Sequence, residues 1–180
     1  MEFEKTALEG CFVITPRKFE DERGYFFESF NQKLFSENTQ QSSNFVQDNV
    51  SKSTYGVLRG LHFQKGEHAQ AKLVSVSEGE VLDVAVDLRP KSKTYGKSVQ
   101  VVLSATNNKQ LYVPRGFAHG FIVLSQTAVF RYKCDNFYNK EAESGLNYDQ
   151  LGIDWMVKEN DIIVNSRDKA FPYLHELSLD

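Results

Sequence analysis

The chain carries few groups able to do chemistry near neutral pH, and their spacing is uneven. It has four histidines, His62, His68, His119 and His175, and two cysteines, Cys11 and Cys134. His62 follows Gly56 after five intervening residues, and His119 ends the run Pro114-Arg115-Gly116-Phe117-Ala118-His119. In that run the Pro and Gly make a tight turn that drops the imidazole inward. Two other polar groups stand on strand faces that are otherwise apolar. Lys72 shares its face with Val74 and Val76, and Tyr132 shares its face with Ala128 and Phe130. Gln47 and Asn49 fall on one face with Phe45, while His62 and Gln64 lie opposite Leu61 and Phe63. If those faces are internal, the amine and the phenol line a pocket mouth; taken singly, each would also suit a strand end where a long side chain reaches water.

Pro-x-Gly-x-x-His is the pattern of the second cupin motif, which raises the question of metal chemistry. A divalent ion wants several imidazole or carboxylate donors at one point. Here the first motif departs from that need. Its His-x-His has become His62-x-Gln64, the expected carboxylate positions hold His68 or Ala69, and Lys72 would repel a cation. We therefore expect a cupin fold without its metal. The cysteines are isolated and form no metal-type spacing. They read as small buried hydrophobes in a reduced compartment.

The elements that must position these groups are strands. In Val81–Leu88, Leu82, Val84, Val86 and Leu88 share one face, and Val81, Asp83, Ala85 and Asp87 share the other. Ser98–Leu103, Gln110–Val113, His119–Leu124 and Ala128–Lys133 are likewise short, β-branched and aromatic. Turn residues punctuate them at Glu78-Gly79, Arg89-Pro90, Asn107-Asn108 and Pro114-Arg115-Gly116. Helical pattern is confined to Gln32–Glu37 and a turn or two near Asp149–Met156. The expected fold is mainly β: a cupin-type antiparallel β-barrel or jelly roll with a few short helices.

Composition narrows the function. The 180 residues hold 21 Lys+Arg against 24 Asp+Glu, a formal charge of −3, which argues against a general nucleic-acid or anionic-membrane binder. With 14 Phe, 8 Tyr and no low-complexity tract, disorder is excluded. The length suits a single domain over 1–180. Three glutamates in Met1–Gly10 argue against a signal peptide, and no apolar run is long enough to span a bilayer. A cytoplasmic location is expected.

Longer motifs give a sharper reading. Asn49-Val50-Ser51-Lys52-Ser53 and Gly56-Val57-Leu58-Arg59-Gly60-Leu61-His62-Phe63-Gln64 closely resemble the dTDP-4-dehydrorhamnose 3,5-epimerase family. The likeness continues through Gln70–Val74, Val84–Arg89, Val113–Phe121 and Tyr132-Lys133-Cys134 with Tyr138. Asp21–Glu28 resembles the family's first block, and Leu151–Trp155 with Ser166–Lys169 its last. The resemblance implies a cofactor-free homodimer acting on dTDP-4-dehydro-6-deoxy-D-glucose, in the synthesis of dTDP-L-rhamnose for cell-surface polysaccharide. Both inverted carbons, C3 and C5, flank the C4 ketone, so their protons are acidic through the enolate. Such chemistry needs a base, an acid on the other face, and a cation near the ketone oxygen.

By that resemblance His62 is the base and Asp168 its acidic partner, Lys72 meets the enolate, and Tyr132 is the acid. Arg59 resembles the diphosphate contact. Arg23, Glu28, Gln47 and Asn49 match nucleotide or sugar contacts, and His119, Glu143 and Lys169 match further substrate-lining positions. Tyr138 and Phe26 match aromatic positions near the thymine, with Phe26 completing the neighbour's site. A Gly24 bulge is needed if Arg23 is to share a site with Phe26 and Glu28. Three alternatives stay open at this point: a C3-only or C5-only epimerase, a metal cupin such as a dioxygenase, and a non-catalytic sugar-binding cupin.

Overall fold

The computed structural model describes residues 1–149 and 151–178. Its strands are β1 (Glu2–Lys5), β2 (Phe12–Thr15), β3 (Lys18–Asp21), β4 (Gly24–Phe27), β5 (Gln47–Thr54), β6 (Leu58–Gln64), β7 (Lys72–Glu78), β8 (Glu80–Asp87), β9 (Ser98–Ser104), β10 (Gln110–Val113), β11 (Phe117–Val123), β12 (Thr127–Cys134) and β13 (Glu143–Gly145). Helices α1 (Gln32–Thr39) and α2 (Ser166–Lys169) are short. Six strands form one antiparallel sheet in the order β1-β2-β10-β7-β12-β5, and five form a second in the order β13-β6-β11-β8-β9. From β5 onward the chain changes sheet at every connection except β8 to β9. This is the path of a cupin-like jelly roll.

The sharpest crossing joins β7 to β8 through one residue, Gly79, at φ 77°. A Cβ there would fall 2.0 Å from the carbonyl oxygen of Thr127, so no other residue fits without moving backbone. Between the sheets lies a core of Val74, Val76, Val81, Ala85, Leu111, Phe121 and Phe130. Phe121 and Phe130 stack with centroids 4.0 Å apart and tie the two sheets together. The other face of the five-stranded sheet is also buried. Leu61, Phe63, Leu82, Val84 and Ile122 pack there beneath Leu146 and Trp155 of the C-terminal segment. That double burial explains why Val81–Leu88 is apolar on one face and nearly so on the other. α1 covers part of the six-stranded sheet. Asn31 caps it by accepting the Leu34 N–H, and Phe35 packs against Phe12, Leu73 and Tyr112.

The strands expected over 81–88, 98–103, 110–113, 119–124 and 128–133 are present, with no end shifted by more than two residues. β1 to β4 were not expected. β3 and β4 pair only with each other, and every residue of β3 is exposed, so no alternation of apolar and polar marks them. Phe45 precedes β5 and packs with Phe30 and Phe35 instead of sharing the Asn49 face. The expected helical turns near Asp149–Met156 are not helical at the described residues, Gln150 lying outside them. There Trp155 donates its indole N–H to the Tyr148 carbonyl at 3.2 Å, which holds an irregular segment against the sheet. The late helix lies at Ser166–Lys169 instead, capped by Asn165.

Candidate active site

The site begins with an irregularity in β6. Against β11, His62 pairs with His119 and Arg59 pairs with Phe121, so three steps on β6 match two on β11. The extra residue is a bulge at Gly60-Leu61. Strand parity alone puts Arg59 and His62 on opposite faces, but the bulge turns both into the barrel. Two glycines permit it. A Cβ on Gly60 (φ 129°) would lie 2.6 Å from Gly120 Cα.

The bulge also aims the Gly60 N–H at Asp168, whose Oδ2 accepts it at 3.0 Å. Asp168 Oδ1 lies 2.9 Å from His62 Nε2. The carboxylate is fully buried, and its own N–H is held by Asn165 Oδ1 at 2.7 Å, the N-cap of α2. Burial pushes the Asp168 carboxyl up, but the hydrogen bonds from His62 and Gly60, with the charges of His62 and Arg167, outweigh it and hold it below the usual carboxylate range. The ionised form therefore receives the Nε2 proton and leaves Nδ1 as the basic nitrogen. Phe171 sits edge-on to the His62 ring at 5.6 Å and presses on Gly145, where a Cβ would come within 2.3 Å of it. The imidazole is thus fixed from two sides.

The facing wall comes from the six-stranded sheet. Tyr132 on β12 pairs with Asn49 on β5 and Val74 on β7, and Lys72 pairs with Cys134. Lys72 Nζ lies 5.9 Å from the centroid of the Tyr132 ring. Burial pulls the Lys72 ammonium below its ordinary range, opposed by Cys134, Asp83 and Glu143. Burial likewise pushes the Tyr132 phenol up, so it is a protonated donor at neutral pH. Two adjoining cavities of about 270 and 310 Å³ share Asn49, His62, Lys72, Tyr132 and Glu143. One cleft therefore runs between the walls. At its mouth Glu143 Oε2 accepts from Tyr138 Oη at 2.9 Å and from Arg167 at 2.8 Å. Gln47 links Asn49 to the Tyr138 N–H. Gln64, at the altered position of the first cupin motif, accepts the Asn139 N–H at its Oε1.

Ten of the expected residues line this cleft: Gln47, Asn49, Arg59, His62, Lys72, His119, Tyr132, Tyr138, Glu143 and Asp168. Four do not. Lys169 is exposed on the outer turn of α2, and Arg167 lines the cleft in its stead. Asp168 is the buried residue of that helix, and Arg167 reaches the cleft mouth by bonding Glu143. Arg23 occupies the two-residue turn of the β3–β4 hairpin, paired with Asp21, and no bulge at Gly24 brings it toward the cleft. Phe26 and Glu28 are exposed beside it, outside the cleft of their own chain. Arg167 and Asp83, which holds His119, escaped the sequence reading as site residues; the available signals were a basic residue next to Asp168 and a carboxylate on a strand face with Val81 and Ala85.

A jelly roll that sets a carboxylate-backed imidazole on one wall and a phenol with an ammonium on the other carries the groups of a general acid–base enzyme. Comparison narrows the class. The family model for dTDP-4-dehydrorhamnose 3,5-epimerase matches residues 5–176, and the chain belongs to that family of epimerases. It is 48% identical to dTDP-4-dehydrorhamnose 3,5-epimerase of Escherichia coli K12, over 96% of this chain and 94% of that protein. The crystal structure of the Elizabethkingia anophelis NUHP1 enzyme of that name superposes with a TM-score of 0.94 at 58% identity, covering 98% of this chain and 97% of that one. A Legionella pneumophila dTDP-6-deoxy-D-glucose-3,5-epimerase, solved in complex with dTDP-4-keto-L-rhamnose, gives 0.94 at 45% identity over 98% and 94%. Among the described residues no helix is long and apolar enough to cross a membrane.

Proposed function

We propose that this protein is a dTDP-4-dehydrorhamnose 3,5-epimerase, converting dTDP-4-dehydro-6-deoxy-D-glucose to dTDP-4-dehydro-L-rhamnose without a cofactor. The observation that carries the reading is the opposition of the walls. The His62–Asp168 pair comes from the five-stranded sheet side and Tyr132 from the six-stranded sheet, and inversion requires a proton to leave one face of a carbon and return to the other. His62 Nδ1 takes the proton beside the ketone. Asp168 stabilises the imidazolium that forms. The Lys72 ammonium meets the enolate oxygen, where a fixed charge in a dry site is worth most. Tyr132 delivers a proton from the opposite wall. Arg59 donates Nε–H to Ser53 Oγ at 3.0 Å, which leaves its terminal nitrogens for the diphosphate.

Arg23, Phe26 and Glu28 fit the reading as parts of the neighbour's site in a homodimer. The hairpin that bears them exposes Phe19, Tyr25 and Phe26 at 53%, 60% and 70%, an apolar surface suited to a second copy of the chain. A single domain over 1–180 and a cytoplasmic location complete the proposal. Incubation with substrate in deuterated water, coupled to a downstream ketoreductase, tests it. We expect deuterium at both C3 and C5 and a rhamno-configured product. Exchange at C3 alone, or at neither carbon, refutes the double epimerase.

A further inference from the structure

The barrel contains a second His–Asp pair, and the acid–base scheme above does not use it. Asp83 on β8 is fully buried, and its backbone neighbours are Phe121 on β11 and Val101 on β9. On its own strand face stand Val81 and Ala85, both in the apolar core. Among the described residues its carboxylate has one hydrogen-bond partner, His119 Nε2, at 2.9 and 3.1 Å from the two oxygens. A carboxylate in such surroundings is costly unless it is paired. The His119 ring also lies nearly parallel to Phe130, with centroids 6.1 Å apart, so its plane is set. Its other nitrogen, Nδ1, makes no hydrogen bond with the described residues. No fully buried side-chain nitrogen or oxygen among them lacks a partner, so Nδ1 reaches open space, and the space beside His119 is the cleft.

The cleft carries several donors, and several of its acceptors are already engaged. The donors Arg59, Lys72, Tyr132 and Arg167 line it. Asp168 is taken by His62 and Gly60, Glu143 Oε2 by Tyr138 and Arg167, and Asn49 Oδ1 by Gln47. His62 Nδ1 is reserved for the carbon acid. A sugar ring brings hydroxyl protons that need acceptors once water is excluded. We propose that Asp83 is a positioning residue: it holds His119 in the Nε2–H tautomer, so that Nδ1 faces the cleft as the acceptor for a hydroxyl of the bound hexose. The inference rests on the epimerase reading for its ligand, but not for its geometry.

Nitrogen-15 NMR of histidine-labelled protein tests it, with His119→Gln assigning the resonance. In the wild type we expect His119 protonated on Nε2 alone. Its Nδ1 signal should shift when dTDP-glucose binds, which has sugar hydroxyls and no ketone, and should not shift with dTDP. A proton on Nδ1, or the same response to both ligands, overturns the proposal whatever the enzyme's activity. Asp83→Asn supplies the second arm, because an amide satisfies Nε2 in either tautomer. We expect a mixed tautomer signal and about a tenfold fall in kcat/KM. An unchanged spectrum, or kcat/KM within twofold of wild type, overturns the positioning role. If that variant fails to fold, the wild-type spectra decide alone. The deuterium assay on wild-type protein decides the epimerase reading separately.

Discussion

Asp168→Asn is the perturbation whose outcome the geometry constrains most tightly. The new side chain has the shape of the old one but one oxygen fewer. The buried Gly60 N–H needs an acceptor, and Asp168 Oδ2 now provides it at 3.0 Å. The Asn carbonyl oxygen must therefore turn to Gly60, which presents the amide NH2 to His62 Nε2. Two donors cannot face each other, so His62 moves its proton to Nδ1 and loses the lone pair that faces the substrate. Turning the amide the other way strands the Gly60 N–H, at about 1–3 kcal/mol. The imidazolium formed in the reaction also loses a charge-assisted hydrogen bond, about 1.5–3 kcal/mol more. The combined effect, about 2.5–6 kcal/mol, corresponds to a fall of about 10²–10⁴-fold in turnover. The assay is deuterium wash-in at C3 and C5 under saturating substrate, with dTDP binding measured in parallel. Binding of dTDP should change little, because Asp168 has no contact with the cleft's nucleotide end as proposed. Turnover within tenfold of wild type would refute the claim that Asp168 sets the tautomer of the base.

Three further outcomes follow from the same structure. Burial lowers the Lys72 pKa, so the required ammonium is lost, and kcat falls, at a pH below the ordinary lysine range; Glu143→Gln removes a supporting charge and moves that alkaline limb to still lower pH, and a rate flat up to the usual lysine range counts against Lys72 as the enolate's cation. Gly60→Ala forces a Cβ against Gly120 and strains a left-handed residue, so we expect a destabilisation of about 2–4 kcal/mol in urea unfolding, together with loss of turnover; native-like stability would contradict the close approach. Phe26→Ala should leave the His62–Asp168 pair intact and yet weaken substrate binding, with the wild type a dimer by light scattering; a fully active monomer would remove the shared site.

Much of this was legible along the chain, because a half-buried strand writes its environment into every second residue. The alternation in Val81–Leu88, the lysine among valines in β7 and the tyrosine after Phe130 in β12 marked the barrel and its polar interior. The order of motifs around Arg59, His62, His119 and Tyr132 pointed to the family. Other features escaped because their cause is not local. β3 and β4 gain no buried face from the fold, so they carry no pattern to read. Arg167 and Lys169 are equivalent in composition, and only the docking of α2 against β6 decides which one faces the cleft.

By itself, then, the sequence determined the strand class of the chain and the chemical types that converge in it, since both depend on residue identity and period. Tertiary structure alone decided the working geometry. One extra residue in β6 reverses parity and turns Arg59 inward beside His62. Asp168 reaches His62 across 106 positions because the C-terminal segment packs on the outer face of the same sheet. Asp83 meets His119 because β8 and β11 are neighbours. Each is a contact between distant segments, set by how sheets pack and where a strand slips register, and no period in the sequence encodes it.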